Sequence, residues 1–150
     1  MSQPWSPPAW MYRTSRPTDN GYFENMTRII FQGGLKWSVI DGKWPAFRHA
    51  FNDFSIDAVV NYDATDVERL IADAGIVRNR AKIEATINNA KCFQRLIRTH
   101  GSFRRYLDTL DKSDNYAHAV KELATQFARL GPASARLFLY AVGEPIAHEC

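Results

Sequence analysis

Cysteine is scarce in this 150-residue chain: Cys92 and Cys150 are the two present, with no Cys-x-x-Cys pair. That excludes a disulfide framework and a cysteine-built metal site, and both residues are expected to be free thiols. No Cys or His occurs before His49, and His49, His100 and His118 show no metal-ligand spacing. Long apolar runs are missing too. None approaches the length that spans a bilayer, so no membrane partner is expected. No stretch alternates polar and apolar residues long enough to argue for a strand, which leaves an all-α fold. The N-terminus lacks a basic segment followed by an apolar core and a small-residue cleavage site, so a cytoplasmic location is expected.

What is present suits one compact helical bundle. A hydrophobic fraction of 45% with 13% aromatics excludes a disordered chain, and the length serves one domain rather than two. Residues 1–20, rich in proline and carrying Trp5 and Trp10, show no periodicity and read as an extended arm ahead of a single domain over 21–150. The arm's aromatics either patch the domain surface as a flexible leader or wall a site. The net charge is +3 and thirteen of the nineteen basic residues are Arg, the side chain that pairs bidentately with phosphate.

Periodicity marks the helices. Asp19 or Asn20 caps a first helix carrying Tyr22, Phe23, Met26, Ile29, Ile30 and Gln32, which breaks at Gly33-Gly34. Trp37 follows, then Trp44-Pro45 opens a helix through Phe47 and Phe51, and Ser55 to Val60 makes one short turn. Beyond the middle of the chain, helices are expected from about Asn115 to a stop at Gly131-Pro132, and from Ala133 to Val142.

The organising stretch runs from Asp66 to Ile83, two helices joined by a tight, basic turn. Val67, Leu70, Ile71 and Ala74 recur at helical spacing behind a Thr65/Glu68 capping box, and Ile83, Ile87 and Ala90 start a second helix that ends near His100-Gly101. Gly75 is expected in the left-handed conformation that closes a helix. The amides of Gly75, Ile76 and Val77, flanked by Arg78, Arg80 and Lys82, would then form a phosphate cradle that grips a duplex through its backbone without reading sequence. The bland alternative is a helical hairpin with solvated basic residues.

Gly34-Leu35-Lys36-Trp37, Asp66-Val67-Glu68-Arg69-Leu70 and above all Asp73-Ala74-Gly75-Ile76-Val77-Arg78-Asn79-Arg80-Ala81-Lys82-Ile83 resemble the DNA-3-methyladenine glycosylase I family of helix-hairpin-helix glycosylases. The likeness is strong over roughly residues 22 to 93 and traceable to Cys150, while the first twenty residues do not match. It implies a base-excision enzyme acting as a monomer on double-stranded DNA, flipping an alkylated base such as 3-methyladenine into a pocket and hydrolysing its N-glycosidic bond. The alternative is a non-catalytic, damage-sensing paralogue.

The resemblance assigns Trp37 the role of stacking on the flipped base, against the alternative that it is core, and makes Tyr12 or Tyr22 the pocket tyrosine. Ungapped counting back from Gly34-Leu35-Lys36-Trp37 puts Ile29 where the family carries a base-contacting glutamate, with Gln32 the nearest polar group, able to read a base edge but not to carry charge. Catalytic candidates are therefore Glu24, Gln32 and Asp19; the downstream acids Asp108, Asp111 and Asp114 read as surface or caps. The family also holds a structural zinc with residues from both ends of the chain. Here only His148 and Cys150 remain, so no metal and no cofactor are expected.

Overall fold

The structure is a computed structural model describing residues 6–12 and 15–147. Trp5, His148 and Cys150 lie outside the described residues. The fold is all-α, and among the described residues there is no strand. The helices are α1 (Asp19–Gln32), α2 (Trp37–Ala50), α3 (Ile56–Val59), α4 (Ala64–Ile71), α5 (Arg80–His100), α6 (Phe103–Asp108), α7 (Ser113–Gln126) and α8 (Pro132–Ala141), with a single 3-10 turn at Asn52–Phe54.

Helix α1 is the axis of the bundle, packed against α2, α5, α6 and α8. Tyr22, Phe23, Met26, Ile29, Ile30 and Phe31 are buried along it, and so are Asn25, Thr27, Arg28 and Gln32. A helix buried on every side must find partners for its polar residues. Three of them fail to do so among the described residues: the side-chain nitrogen and oxygen of Gln32, the Nε of Arg28 and the Oδ1 of Asn25 are buried without a hydrogen bond. Around α1 the core is aromatic, with Phe93 and Phe103 at 4.4 Å, Phe31 and Phe47 at 4.7 Å, and Trp44 stacked on Phe54 at 5.2 Å between ring centroids.

The helix ends differ from the sequence reading in several places. Thr18, rather than Asp19 or Asn20, caps α1 by accepting from the Gly21 amide at 3.1 Å. The capping box of α4 is Asp63 with Asp66, two residues before Thr65 and Glu68. Helix α7 ends at Gln126, well before Gly131-Pro132, because the chain leaves helical geometry at Phe127 and is clamped by Asn89. The Asn89 side chain accepts from the Ala128 amide at 2.8 Å and donates to the Ala128 carbonyl at 3.1 Å, fixing the segment that leads to α8. Helix α5 ends at Gly101 with φ 93°, as the His100-Gly101 signal implies.

Of the proline-rich arm, residues 9–12 dock on the bundle. Met11 is buried, and the Tyr12 amide donates to the Ala141 carbonyl at the end of α8. Gly143 permits this approach: its φ is +90°, and a Cβ there would lie 2.7 Å from the Tyr12 carbonyl oxygen.

Candidate nucleobase cleft and hairpin

Gly33 and Gly34, the latter at φ 79°, turn the chain sharply out of α1 and deliver Trp37 as the first residue of α2. The result is a cleft of about 450 Å³ lined by Ile29 and Gln32 from α1, the loop from Gly33 to Trp37, and Ser134 and Leu137 from α8. Trp37 is half-buried, leaving indole surface open to it. Gln32 is 4% exposed, and among the described residues its carboxamide has no hydrogen-bond partner on either atom. A buried amide left unsatisfied costs about 1–3 kcal/mol, so this group is costly unless something enters the cleft to meet it. Ile29, 2% exposed, supplies apolar surface, and among the described residues no carboxylate lines the cleft.

Other candidate residues lie elsewhere. Tyr22 is core: 1% exposed, its ring 4.9 Å from Phe103, with burial pushing its hydroxyl up to about 12. Asp19 is a cap, its carboxylate accepting from the Phe103 amide at 2.9 Å. Glu24 accepts from Trp44 Nε1 at 2.7 Å and from Arg48 Nε at 2.8 Å, both through one oxygen. Together with the half-exposed Tyr12 it lines a different recess, under the arm. Trp37 and Gln32 are thus brought together, and Tyr12, Tyr22, Glu24 and Asp19 are not among the residues lining their cleft.

The hairpin differs from the expected cradle. Gly75 does not adopt a left-handed φ. It is small for packing instead, since a Cβ there would sit 3.0 Å from the Ala46 Cβ on α2. Its amide donates to Asp73 Oδ1 at 2.8 Å and the Ile76 amide to the Asp73 carbonyl at 3.4 Å, so two of the three amides are already engaged. The Ile76 side chain is in the core and Val77 packs beside it. Arg80 pairs with Glu68 at 2.8 Å and Glu84 at 3.6 Å. Lys82 Nζ donates to the carbonyls of Gly33 at 2.8 Å and Phe31 at 3.4 Å, and burial, aided by nearby Arg129, pulls its pKa down. That leaves Arg78, exposed and without a partner among the described residues, as the hairpin cation facing solvent.

Sequence reasoning missed Arg28 and Asp41, and it named Trp10 only within an arm whose aromatics either patch the surface or wall a site. The arm brings Trp10 edge-on to Trp37 at 6.1 Å, and the Arg28 guanidinium lies 4.7 Å from the Trp10 ring and 5.1 Å from the Trp44 ring. The signal was present, since Arg at position 28 interrupts an apolar stripe. Among the described residues no group of three or more His, Cys, Asp or Glu is arranged to hold a metal ion.

The chain is similar in sequence and in fold to known proteins. It is 42% identical over 62 residues to DNA-3-methyladenine glycosylase 1 of Escherichia coli, covering 41% of this chain and 33% of that protein. It is 32% identical over 71 residues to the DNA-3-methyladenine glycosylase of Haemophilus influenzae, covering 47% and 38%. The matched stretch therefore spans about a third of the one curated relative and 38% of the other. The fold superposes more widely on the 3-methyladenine DNA glycosylase I of Staphylococcus aureus, solved to explain 3-methyladenine recognition, with a TM-score of 0.77 at 26% identity over 93% of this chain and 85% of that one. Residues 9–139 match the methyladenine glycosylase family over most of the chain's length, and the chain belongs to that family.

Proposed function

We propose that the chain is a DNA glycosylase of alkylation repair, which flips a damaged base out of double-stranded DNA and hydrolyses its N-glycosidic bond. The observation that carries this reading is the Gln32 carboxamide, 4% exposed and unpartnered, in the cleft walled by Trp37. A carboxamide offers one donor and one acceptor side by side, which is the pattern that meets an adenine edge, while the indole face provides stacking. The family membership and the resemblance to proteins named for 3-methyladenine support the same substrate class.

The chemistry asks little of the protein once the base is seated. Alkylation at a ring nitrogen makes the base cationic, so the C1′–N bond breaks with the electron pair going to the base, and water adds to C1′ with loss of a proton. Trp37 holds the leaving base and Gln32 reads its edge. Ile29 in the cleft lining offers no charge to a cationic base, so excision of 3-methyladenine is slow. Duplex is gripped through Arg78 at the hairpin, and the protein works as a monomer in the cytoplasm.

The test is chromatographic detection of free base released from methylated duplex, with Trp37→Ala and Gln32→Ala alongside. Release that falls in both variants while nonspecific duplex binding persists supports the reading. A mobility shift on damaged duplex with no release by the wild type favours the non-catalytic, damage-sensing reading, to which the absence of a carboxylate from the cleft already points.

A further inference from the structure

Trp37 also lines a second cleft. About 580 Å³ in volume, it is lined by Pro8, Ala9, Trp10, Arg28, Trp37, Ser38 and Asp41. Two indoles inclined at 60° form its walls. Arg28 donates from Nη2 to Asp41 Oδ1 at 2.7 Å, and its side chain is 6% exposed while that of Asp41 is 72% exposed. The Arg28 Nε, which shares one edge of the guanidinium fork with Nη2, is buried with no hydrogen-bond partner among the described residues. Half of that fork is thus used by a carboxylate that is otherwise in water, and half is idle.

A buried cation with an idle donor is an uncommon thing to keep, because an apolar residue of similar volume would serve packing better. Burial also pulls the Arg28 pKa down, against the opposing pull of Asp41. What the arrangement offers a ligand is specific: aromatic faces for a flat ring, a donor from Arg28, and a carboxylate acceptor beside it. A cationic alkylated base gains nothing from a guanidinium, so the occupant is neutral.

We propose that this Trp10–Arg28–Asp41 cleft is a second nucleobase subsite, taking a neutral purine of the guanine type, with its carbonyl oxygen toward Arg28 and its N–H groups toward Asp41. Guanine places an acceptor next to two donors on one edge, matching the Arg28–Asp41 pair in order. Adenine has no carbonyl and offers one amino donor, so it makes fewer of these bonds. The subsite takes either a free purine or an unpaired base of DNA, and the two sources share this chemistry.

Calorimetric titration of the wild-type protein with guanosine, inosine and adenosine, and with short single strands carrying one central guanine or adenine among thymines, tests it. Guanosine should bind about tenfold or more tightly than adenosine, with inosine between them for want of one amino donor. Preference for guanine in the strands as well identifies a base of DNA as the occupant; preference with nucleosides alone identifies a free purine. Asp41→Asn, at an exposed position, and Arg28→Met, which keeps the side-chain stem, should each remove most of that preference. Equal binding of guanosine and adenosine, no binding of either nucleoside or strand, or an unchanged preference in both variants overturns the proposal. These readouts need no base release, so their failure leaves the Gln32 cleft standing, and failure of base release leaves this subsite standing.

Discussion

Lys82 Nζ donates to the Gly33 carbonyl at 2.8 Å, tying the first turn of α5 to the loop that carries Trp37. The hairpin and the cleft are therefore one mechanical unit, joined by a lysine that faces the protein rather than a phosphate. Removing it should act on the cleft. In Lys82→Met, base release should fall several-fold while the slope of log affinity against log salt stays as in the wild type. Arg78→Ala should do the reverse, flattening that slope by about one unit, as expected for one lost phosphate contact. A flattened slope in Lys82→Met would show that its amine leaves Gly33 when duplex binds.

Docking of the arm rests on Gly143. Alanine there would strain the backbone at φ +90° and press its Cβ against the Tyr12 carbonyl, costing roughly 1–2 kcal/mol before any clash is relieved. The arm should lift, separating Trp10 from Trp37 and Arg28. Limited proteolysis should then cut Gly143→Ala within the first seventeen residues faster than the wild type, with little change in the melting temperature of the helical body. Equal cutting rates would mean that other contacts hold the arm.

How far the sequence could be read follows from the range of each interaction. Local signals worked for Gly33-Gly34, which breaks α1 and brings Trp37 and Gln32 to one cleft, and for Gly101, whose positive φ ends α5. Local pattern alone does not place the α4 cap: Asp63-x-x-Asp66 and Thr65-x-x-Glu68 have the same form, and what separates them is where the chain turns into α4. Gly75 was assigned a left-handed conformation on its position after a helix, whereas its smallness answers to Ala46 on another helix. Lys82 reaches Gly33 across 49 residues of sequence and Asp19 reaches Phe103 across 84, distances over which periodicity and capping rules carry no information. Tyr22 was legible as core from its spacing with Met26 and Ile29, but the resemblance pulled it toward the pocket.

Tyr22 also sets an alkaline limit. The unfolded chain releases its phenolic proton near pH 10, whereas burial holds it in the folded chain up to about 12. The folded state thus binds more protons between those values, so the stabilisation is complete below pH 10 and is lost as pH rises toward 12. Tyr116, pushed up to about 12 by burial and by neighbouring Glu144, acts in the same direction. Denaturant melts at stepwise higher pH should show a fall in stability over this window, and Tyr22→Phe, nearly isosteric, should make the fall shallower. An unchanged profile in the variant would mean that Tyr22 ionises without unfolding.

Ile29 offers the most demanding test of the cleft. It is 2% exposed and lines the cleft with Gln32 and Trp37, so Ile29→Glu would place a carboxylate where a seated base sits. Burying that charge with no base bound costs several kcal/mol, roughly 3, unless the group takes up a proton, and the melting temperature should drop. With a cationic base in the cleft the same charge becomes an asset, and single-turnover release of 3-methyladenine should rise on the order of tenfold, the equivalent of about 1.4 kcal/mol in the barrier. Loss of stability alone would not separate a cleft residue from a core residue. Ile30→Glu supplies that separation: Ile30 is 4% exposed on the same helix but does not line the cleft, so this change should destabilise the bundle and leave release no faster. A gain in both variants, or in neither, would move the base-binding site away from this part of α1.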